Sequence, residues 1–230
     1  MNVIDKIKGG LIVSCQALED EPLYSPFIMA RMAKAAELGG AVGIRANSAI
    51  DIQEIKKLVP LPVIGIIKIE YPGSPVYITP TMKEVETLVG CGCEIIAMDA
   101  TNRQRPDGQT LKEFFTVVRE KYPTQVFMAD CATYQEGLDA AAMGFDLIAT
   151  TLNGYTEESK NDITPNYDLI SALVKNSLKP VIAEGNIRTP QQLKIAKSYG
   201  IHAAVVGSAI TRPELITRRF VEAMNDMGTP

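Results

Sequence analysis

The chain has 230 residues, 46% hydrophobic and 22% charged, with four cysteines, one histidine and a formal net charge of −4. A chain this long can bury roughly 70–75% of its unfolded surface, so one domain spanning 1–230 needs no disulfide. The acidic balance argues against a general role on nucleic acid or membrane surfaces, which requires clustered Lys and Arg.

No apolar stretch approaches the ~20 residues of a membrane span, and the N-terminus lacks a signal-type cleavage pattern, so a cytoplasmic protein is expected. Cys15, Cys91, Cys93 and Cys131 form no CxxC pair and have no histidine cluster beside them. They read as reduced thiols.

Apolar strand signals fall at residues 10–14, 41–45, 63–68, 95–99, 126–130, 147–151, 181–184 and 203–207. Between and after them, helical spacing of apolar residues runs through 29–40, 52–59, 82–92, 111–122, 134–144, 167–177, 191–200 and 214–227. Strict alternation of strand and helix predicts a parallel sheet, and eight βα units predict a closed (β/α)₈ TIM barrel. A doubly wound open sheet is the competing architecture, but no GxGxxG turn follows the first strand.

Longer connections follow the first, third, fourth and sixth strands, all on the C-terminal side where barrel enzymes build their sites. The last two strands run into glycine turns, Glu184-Gly185-Asn186 and Gly207-Ser208, with Arg212 shortly after. Glycine lets a backbone approach a ligand closely, and free N–H groups at a helix start attract anions. Gly185, Asn186, Gly207, Ser208 and Arg212 are therefore the candidate phosphate cup, at the ends of the seventh and eighth strands.

Charged residues close otherwise apolar strands at Arg45, Lys68, Asp99, Asp130 and Glu184, and Gln16 follows the first strand. All six are candidates for the barrel mouth. Lys68 is the most suggestive: burial and a nearby cation such as Arg45 would lower its pKa toward that of a usable base, whereas pairing with Glu184 would raise it. It could equally form a Schiff base. Asp99 and Asp130 are candidates to orient Lys68 or hold sugar hydroxyls, Arg45 to stabilise a developing oxyanion, and Gln16 to bind a hydroxyl or amide. The sole histidine, His202, precedes the eighth strand, on the wrong side for catalysis. The carboxylates lack the spacing of a metal motif, and no metal is expected.

Read together, GGLIVSCQALEDEPL, GAVGIRAN, PVIGIIK, EIIAMDAT, VIAEGNIRTP and AVVGSAITRP closely resemble the bacterial N-acetylmannosamine-6-phosphate 2-epimerases, from about residue 9 to the last helix. The resemblance implies a TIM barrel of sialic-acid catabolism that interconverts N-acetylmannosamine 6-phosphate and N-acetylglucosamine 6-phosphate without a redox cofactor. It implies that Lys68 is the acid/base at C2 and Glu184 its close partner. It further implies substrate contacts from Gln16, Arg45 and Asp130, with phosphate held by Gly185, Gly207, Ser208 and Arg212. A Schiff-base aldolase and a non-catalytic sugar-phosphate-binding barrel are the rival readings. The expected partner is a small sugar phosphate, and the expected assembly is a homodimer. Phe114 and Phe220 read as exposed helix positions, available to an interface or to the barrel–helix core.

Overall fold

The structure is a computed structural model that describes residues 2–225. Eight parallel strands close on themselves in sequence order: β1 (Leu11–Cys15), β2 (Gly43–Asn47), β3 (Val63–Ile66), β4 (Ile95–Asp99), β5 (Val126–Asp130), β6 (Leu147–Ala149), β7 (Val181–Glu184) and β8 (Ala203–Val206). The β1–β8 pairing, with Ile12 opposite Val205, closes the ring and excludes the open sheet.

Successive strand residues point to opposite faces. The inward set (Ile12, Ile64, Ile66, Ile95, Ala97, Met128, Leu147, Ala149, Ile182, Ala203 and Val205) packs into a dry interior core. The outward set packs with the helices into a second apolar layer. Burying each of its Leu, Ile, Val or Phe side chains contributes about 1.5–3 kcal/mol. Within that layer Phe115 stacks on Phe145 at 3.7 Å and meets Phe127 edge-on at 5.6 Å.

The surrounding helices are α2 (Pro26–Leu38), α3 (Ala49–Leu58), α4 (Met82–Gly90), α5 (Leu111–Lys121), α6 (Tyr134–Met143), α7 (Tyr167–Asn176) and α8 (Pro190–Ser198), after a short α1 (Val3–Ile7). Four of them start with a capping box: Thr81/Glu84, Thr110/Glu113, Thr133/Glu136 and Thr189/Gln192. In each, two backbone donors that helix geometry leaves orphaned find acceptors, and the Thr cap is worth ~1 kcal/mol.

α1, which carries no strong sequence signal, lies under the barrel. Its fully buried Ile7 joins the interior core, and His202 Nε2 lies 2.8 Å from the Ile4 carbonyl oxygen. The histidine thus ties the floor of the barrel, at the opposite end from the mouth.

After β8 the chain forms α9 (Ser208–Thr211) and then α10 (Pro213–Asn225). The predicted final helix extends to 227, and its last two residues lie outside the described residues. No described residue of α10 is buried, and Phe220 is 70% exposed. Phe114, read from sequence as exposed, is in fact buried on the inner face of α5.

β1, β2, β3, β6 and β8 each differ from their predicted limits by one or two residues, and for β2 and β3 the reason is local. β2 starts two residues late because Ala41 N–H still bonds to Ala36 O, finishing the turn that ends α2. β3 stops at Ile66, so Lys68 lies beyond the strand, where it makes an antiparallel bridge with Ile78.

Candidate active site

Strand parity decides what reaches the mouth. Where the inward face runs Ile12, Ser14, Gln16 along β1 and just past it, and Leu147, Ala149, Thr151 along β6 and just past it, the outermost members are polar. A cavity of about 520 Å³ opens there, with Ser14, Gln16, Arg45, Lys68, Thr151 and Glu184 in its wall.

At its base lies an ion-pair network. Arg45 is 1% exposed and grips Asp130 with both guanidinium nitrogens, Nη2 to Oδ2 at 2.6 Å and Nη1 to Oδ1 at 3.0 Å. Nη1 also donates to Glu184 Oε2 at 2.9 Å. Thr151 Oγ1 lies 2.7 Å from Asp130 Oδ1 and 3.1 Å from Glu184 Oε2, joining the same two carboxylates. Burial works against the charge of Arg45, but Asp130 and Glu184 outweigh it and raise its pKa. The guanidinium is therefore a fixed cation.

Glu184 is shifted the other way. Burial pushes its pKa up to about 7, against the pull of Arg45, the Thr151 hydrogen bond and Lys68. Its Oε1 has no hydrogen-bond partner among the described residues. One oxygen is anchored, and the other can take or give a proton near neutral pH.

Lys68 resolves the conflict left open by its sequence. Burial, then Arg45, then Arg212 lower its pKa to about 8, and the opposing pull of Glu184 and Asp130 does not restore it. Its Nζ has no hydrogen bond or ion pair among the described residues. Its backbone N–H is held by Asn47 Oδ1 at 2.8 Å, a contact from β2 that periodicity does not reveal. A positioned amine with this pKa is neutral, and so available as a base, in about one molecule in ten at pH 7.

The two glycine turns meet at the far side of the cavity. Gly185 has φ +108°, and a Cβ there would sit 3.2 Å from the Thr150 carbonyl oxygen. Both its backbone and its surroundings require glycine. At Gly207 a Cβ would come within 3.2 Å of Ser14 Cβ. Asn186, at φ +53°, follows in the left-handed region that Asn tolerates. Ser208 and Arg212 also line this side, and Arg212 is braced by Glu21 from the loop after β1, Nε to Oε1 at 2.9 Å and Nη2 to Oε2 at 3.0 Å.

Asp99 departs from the expectation. Its Oδ1 accepts Thr101 N–H and Oγ1–H at 2.9 and 2.6 Å, and its Oδ2 accepts Arg103 Nη2 at 2.5 Å. Both oxygens are committed to the loop after β4, and Asp99 does not line the cavity. Asp130 lies beneath the cavity, fully buried, with Arg45 and Thr151 between it and the open space. Gln16 remains in the wall, its amide donating to Ser14 Oγ at 2.8 Å.

Sequence reasoning missed Ser14, Tyr77 and Thr151. Ser14 and Thr151 could have been found from parity within their own strands. Tyr77 could not, because a long loop with no periodic signal carries it back to the mouth. The cysteines are free thiols, and burial raises the pKa of each. None is an activated nucleophile.

Comparison with known proteins matches this arrangement. Residues 29–226 match a family model described as "Putative N-acetylmannosamine-6-phosphate epimerase". Relatives named the same way, as the 2-epimerase, include those of Caldanaerobacter subterraneus subsp. tengcongensis and Clostridioides difficile. Both are 56% identical over 96% of this chain, covering 93% and 99% of their own lengths.

A solved structure of the N-acetylmannosamine-6-phosphate 2-epimerase from Clostridium perfringens superposes with a TM-score of 0.93 at 51% identity, covering 97% of this chain and 96% of that one. The thiamine phosphate pyrophosphorylase from Pyrococcus furiosus, with a TM-score of 0.63 at 15% identity, shares the fold. With the family model spanning most of the chain and relatives above half identity along nearly all of it, this chain belongs to the N-acetylmannosamine-6-phosphate 2-epimerase family.

Proposed function

We propose that the chain, as one barrel unit over 1–230, interconverts N-acetylmannosamine 6-phosphate and N-acetylglucosamine 6-phosphate by removing and returning the proton at C2, within amino-sugar and sialic-acid breakdown. The observation that carries the reading is the Lys68 amine, with its pKa lowered to about 8, in one cavity with two glycine turns.

In the open-chain sugar, C2–H lies beside the C1 aldehyde. Neutral Lys68 Nζ takes the C2 proton, and the C–H electron pair moves into a C1–C2 double bond, leaving negative charge on O1. Arg45 lies on the same wall to stabilise that charge, and one such preorganised donor is typically worth ~3–4 kcal/mol. Return of a proton to the opposite face of C2 inverts the centre, and the product differs only in configuration. Glu184 is the proposed proton acceptor for ring opening, because its unbonded Oε1 and raised pKa suit a proton taken and given near neutrality. No redox cofactor enters the scheme.

Gly185, Asn186, Gly207, Ser208 and Arg212 are proposed to hold the phosphate, and Gln16 a substrate hydroxyl or the acetamide. A remote anchor keeps a flexible open chain in place while both faces of C2 are reached, an effect of binding energy spent on orientation.

The test is a proton NMR time course with N-acetylmannosamine 6-phosphate in D₂O. The C2–H signal should disappear as N-acetylglucosamine 6-phosphate grows. The rate should climb with pH through about 8 as Lys68 loses its proton, with a further limb near 7 from Glu184. Folded protein that gives neither exchange nor product overturns the reading.

A cytoplasmic location is inferred from the free thiols, which suit a reducing compartment. Among the described residues no helix is long and apolar enough to cross a membrane. Pairing of two copies is inferred from α10, whose Phe220, Val221 and Met224 are 70%, 50% and 84% exposed. Sedimentation velocity should give a dimer at micromolar concentration, and a monomer there would refute the pairing.

A further inference from the structure

The wall that carries Lys68 is not made by barrel strands alone. β3 and β4 pair only at Ile64–Ile95 and Gly65–Ile96, after which the two strands part. The returning arm of the loop after β3, residues 76–80, fills the gap. Thr79 N–H donates to Ile67 O at 2.7 Å, and Thr79 Oγ1 accepts Ile67 N–H at 3.3 Å while donating to Ala97 O at 2.7 Å. Asp99 N–H donates to Ile78 O at 3.0 Å.

Thus the arm bonds to the β3 side with one edge and to β4 with the other. Ile78 is the bridge partner of Lys68, so the arm sets where the lysine backbone stands. The arm is also buried, with Val76, Ile78 and Thr79 at 1%, 2% and 0% exposure. Thr79 adopts φ +47°, a region a β-branched residue rarely enters unless its surroundings hold it there.

Arg105 supplies the hold. It is 3% exposed, and its guanidinium donates to main-chain carbonyls alone: Nη1 to Pro80 O at 2.7 Å and Thr79 O at 3.3 Å, and Nη2 to Asp99 O at 2.6 Å. It lies 4.0 Å over the ring of Phe114. No carboxylate pairs with it among the described residues, and burial lowers its pKa to about 10. The planar fork fixes several acceptors at set angles, which a lysine ammonium cannot do.

We propose that Arg105 is a positioning residue for Lys68: by clamping the arm between β3 and β4 it fixes the place of the lysine amine in the mouth. This rests on the role given to Lys68 above. The charged and titratable groups that face Lys68 are Arg45 from β2, Asp130 from β5, Glu184 from β7, Arg212 after α9 and Tyr77 on the arm itself. When the arm loosens, the amine gains water and moves relative to Arg45. The gain of water relieves the burial that is the largest cause of its lowered pKa, and so favours its proton.

The experiment measures kcat and KM from pH 6 to 10 for the parent, Arg105→Met and Arg105→Lys, in the D₂O assay, with rates normalised to folded protein. In Arg105→Met the ascending limb should move to higher pH by about 0.5–1 unit and kcat at pH 7 should fall roughly tenfold. KM should change less than about threefold, since the glycine turns make no contact with Arg105. Arg105→Lys, which keeps a charged donor group but not the planar fork, should move the limb in the same direction by less, and it decides the matter if the methionine variant does not fold. A limb that stays within about 0.3 unit of the parent in whichever variant folds overturns the proposal, since a purely stabilising residue changes the amount of folded protein and not the limb. If the parent itself gives no C2 exchange, the reading of Lys68 fails instead.

Discussion

Lys68→Met should abolish turnover while making the protein more stable at pH 7. The catalytic half rests on the amine alone: methionine keeps the unbranched stem and removes the base. A positioned base contributes typically 10²–10⁴-fold, so kcat should fall by about a thousandfold or more. KM should stay within about threefold, because the phosphate contacts proposed for β7 and β8 remain.

The stability half follows from the same environment. Burial and the cations Arg45 and Arg212 hold the folded-state pKa of Lys68 at about 8, below its ordinary value of 10.5. The folded protein therefore disfavours the ammonium. That cost is fully present below pH 8 and fades as pH rises toward 10.5, where the unfolded chain also loses its proton. Removing the amine should raise the unfolding free energy by about 1–2 kcal/mol at pH 7, with part of the gross benefit lost because Glu184 gives up a favourable neighbour. The gain should shrink at pH 10. Denaturant unfolding at the two pH values measures it. Activity within tenfold of the parent would remove Lys68 from the chemistry, and lower stability at pH 7 would contradict the electrostatic account of its environment.

The residues that were legible from sequence are those whose positions follow from chain periodicity. Glu184 and Asp130 end apolar strands, and the period of two carries them inward at the open end of a parallel barrel. The glycine turns were legible because a backbone at φ +108°, or a Cβ site 3.2 Å from a neighbour, leaves few alternatives to glycine.

Asp99 shows where this kind of reasoning runs out. It ends β4 just as Asp130 ends β5, with which it is in register, but a threonine and an arginine two and four residues later turn back and occupy both its oxygens. Strand position alone does not distinguish the two aspartates. Their difference lies in a loop that folds locally. Lys68 is the reverse case, since it reaches the mouth although its strand has already ended. Its place is set by Asn47 and by an arm ten residues further along the chain, contacts with no periodic signature. The direction of its pKa depended first on burial and then on its placement relative to Arg45, Arg212 and Glu184, all of which only the closed barrel sets.

Arg45→Met should be the most destabilising single change at the mouth. The guanidinium is the shared partner of two carboxylates, Asp130 with no exposure and Glu184 with 12%. Replacing a buried ion pair with apolar groups can be nearly neutral when both partners go, but removing one partner strands the other in a dry site, at a cost of about 3–5 kcal/mol. Here one substitution strands two.

The dependence on pH has a definite sign. Glu184, already raised to about 7 by burial, would lose the cation that pulls it down and climb further. A carboxyl with a raised folded-state pKa contributes its stability below the unfolded value and loses it as pH rises through the folded one. The deficit of Arg45→Met should therefore be small near pH 5 and large at pH 8, as measured by thermal unfolding of parent and variant in parallel. Adding Asp130→Asn should recover part of the loss, because Thr151 Oγ1 can still satisfy an amide oxygen and one buried charge is gone. The double variant should nonetheless turn over far more slowly than the parent, since the guanidinium proposed to stabilise negative charge on O1 is gone. Equal losses at pH 5 and pH 8, with no recovery in the double variant, would mean that Arg45 serves the fold through packing and not through its charge.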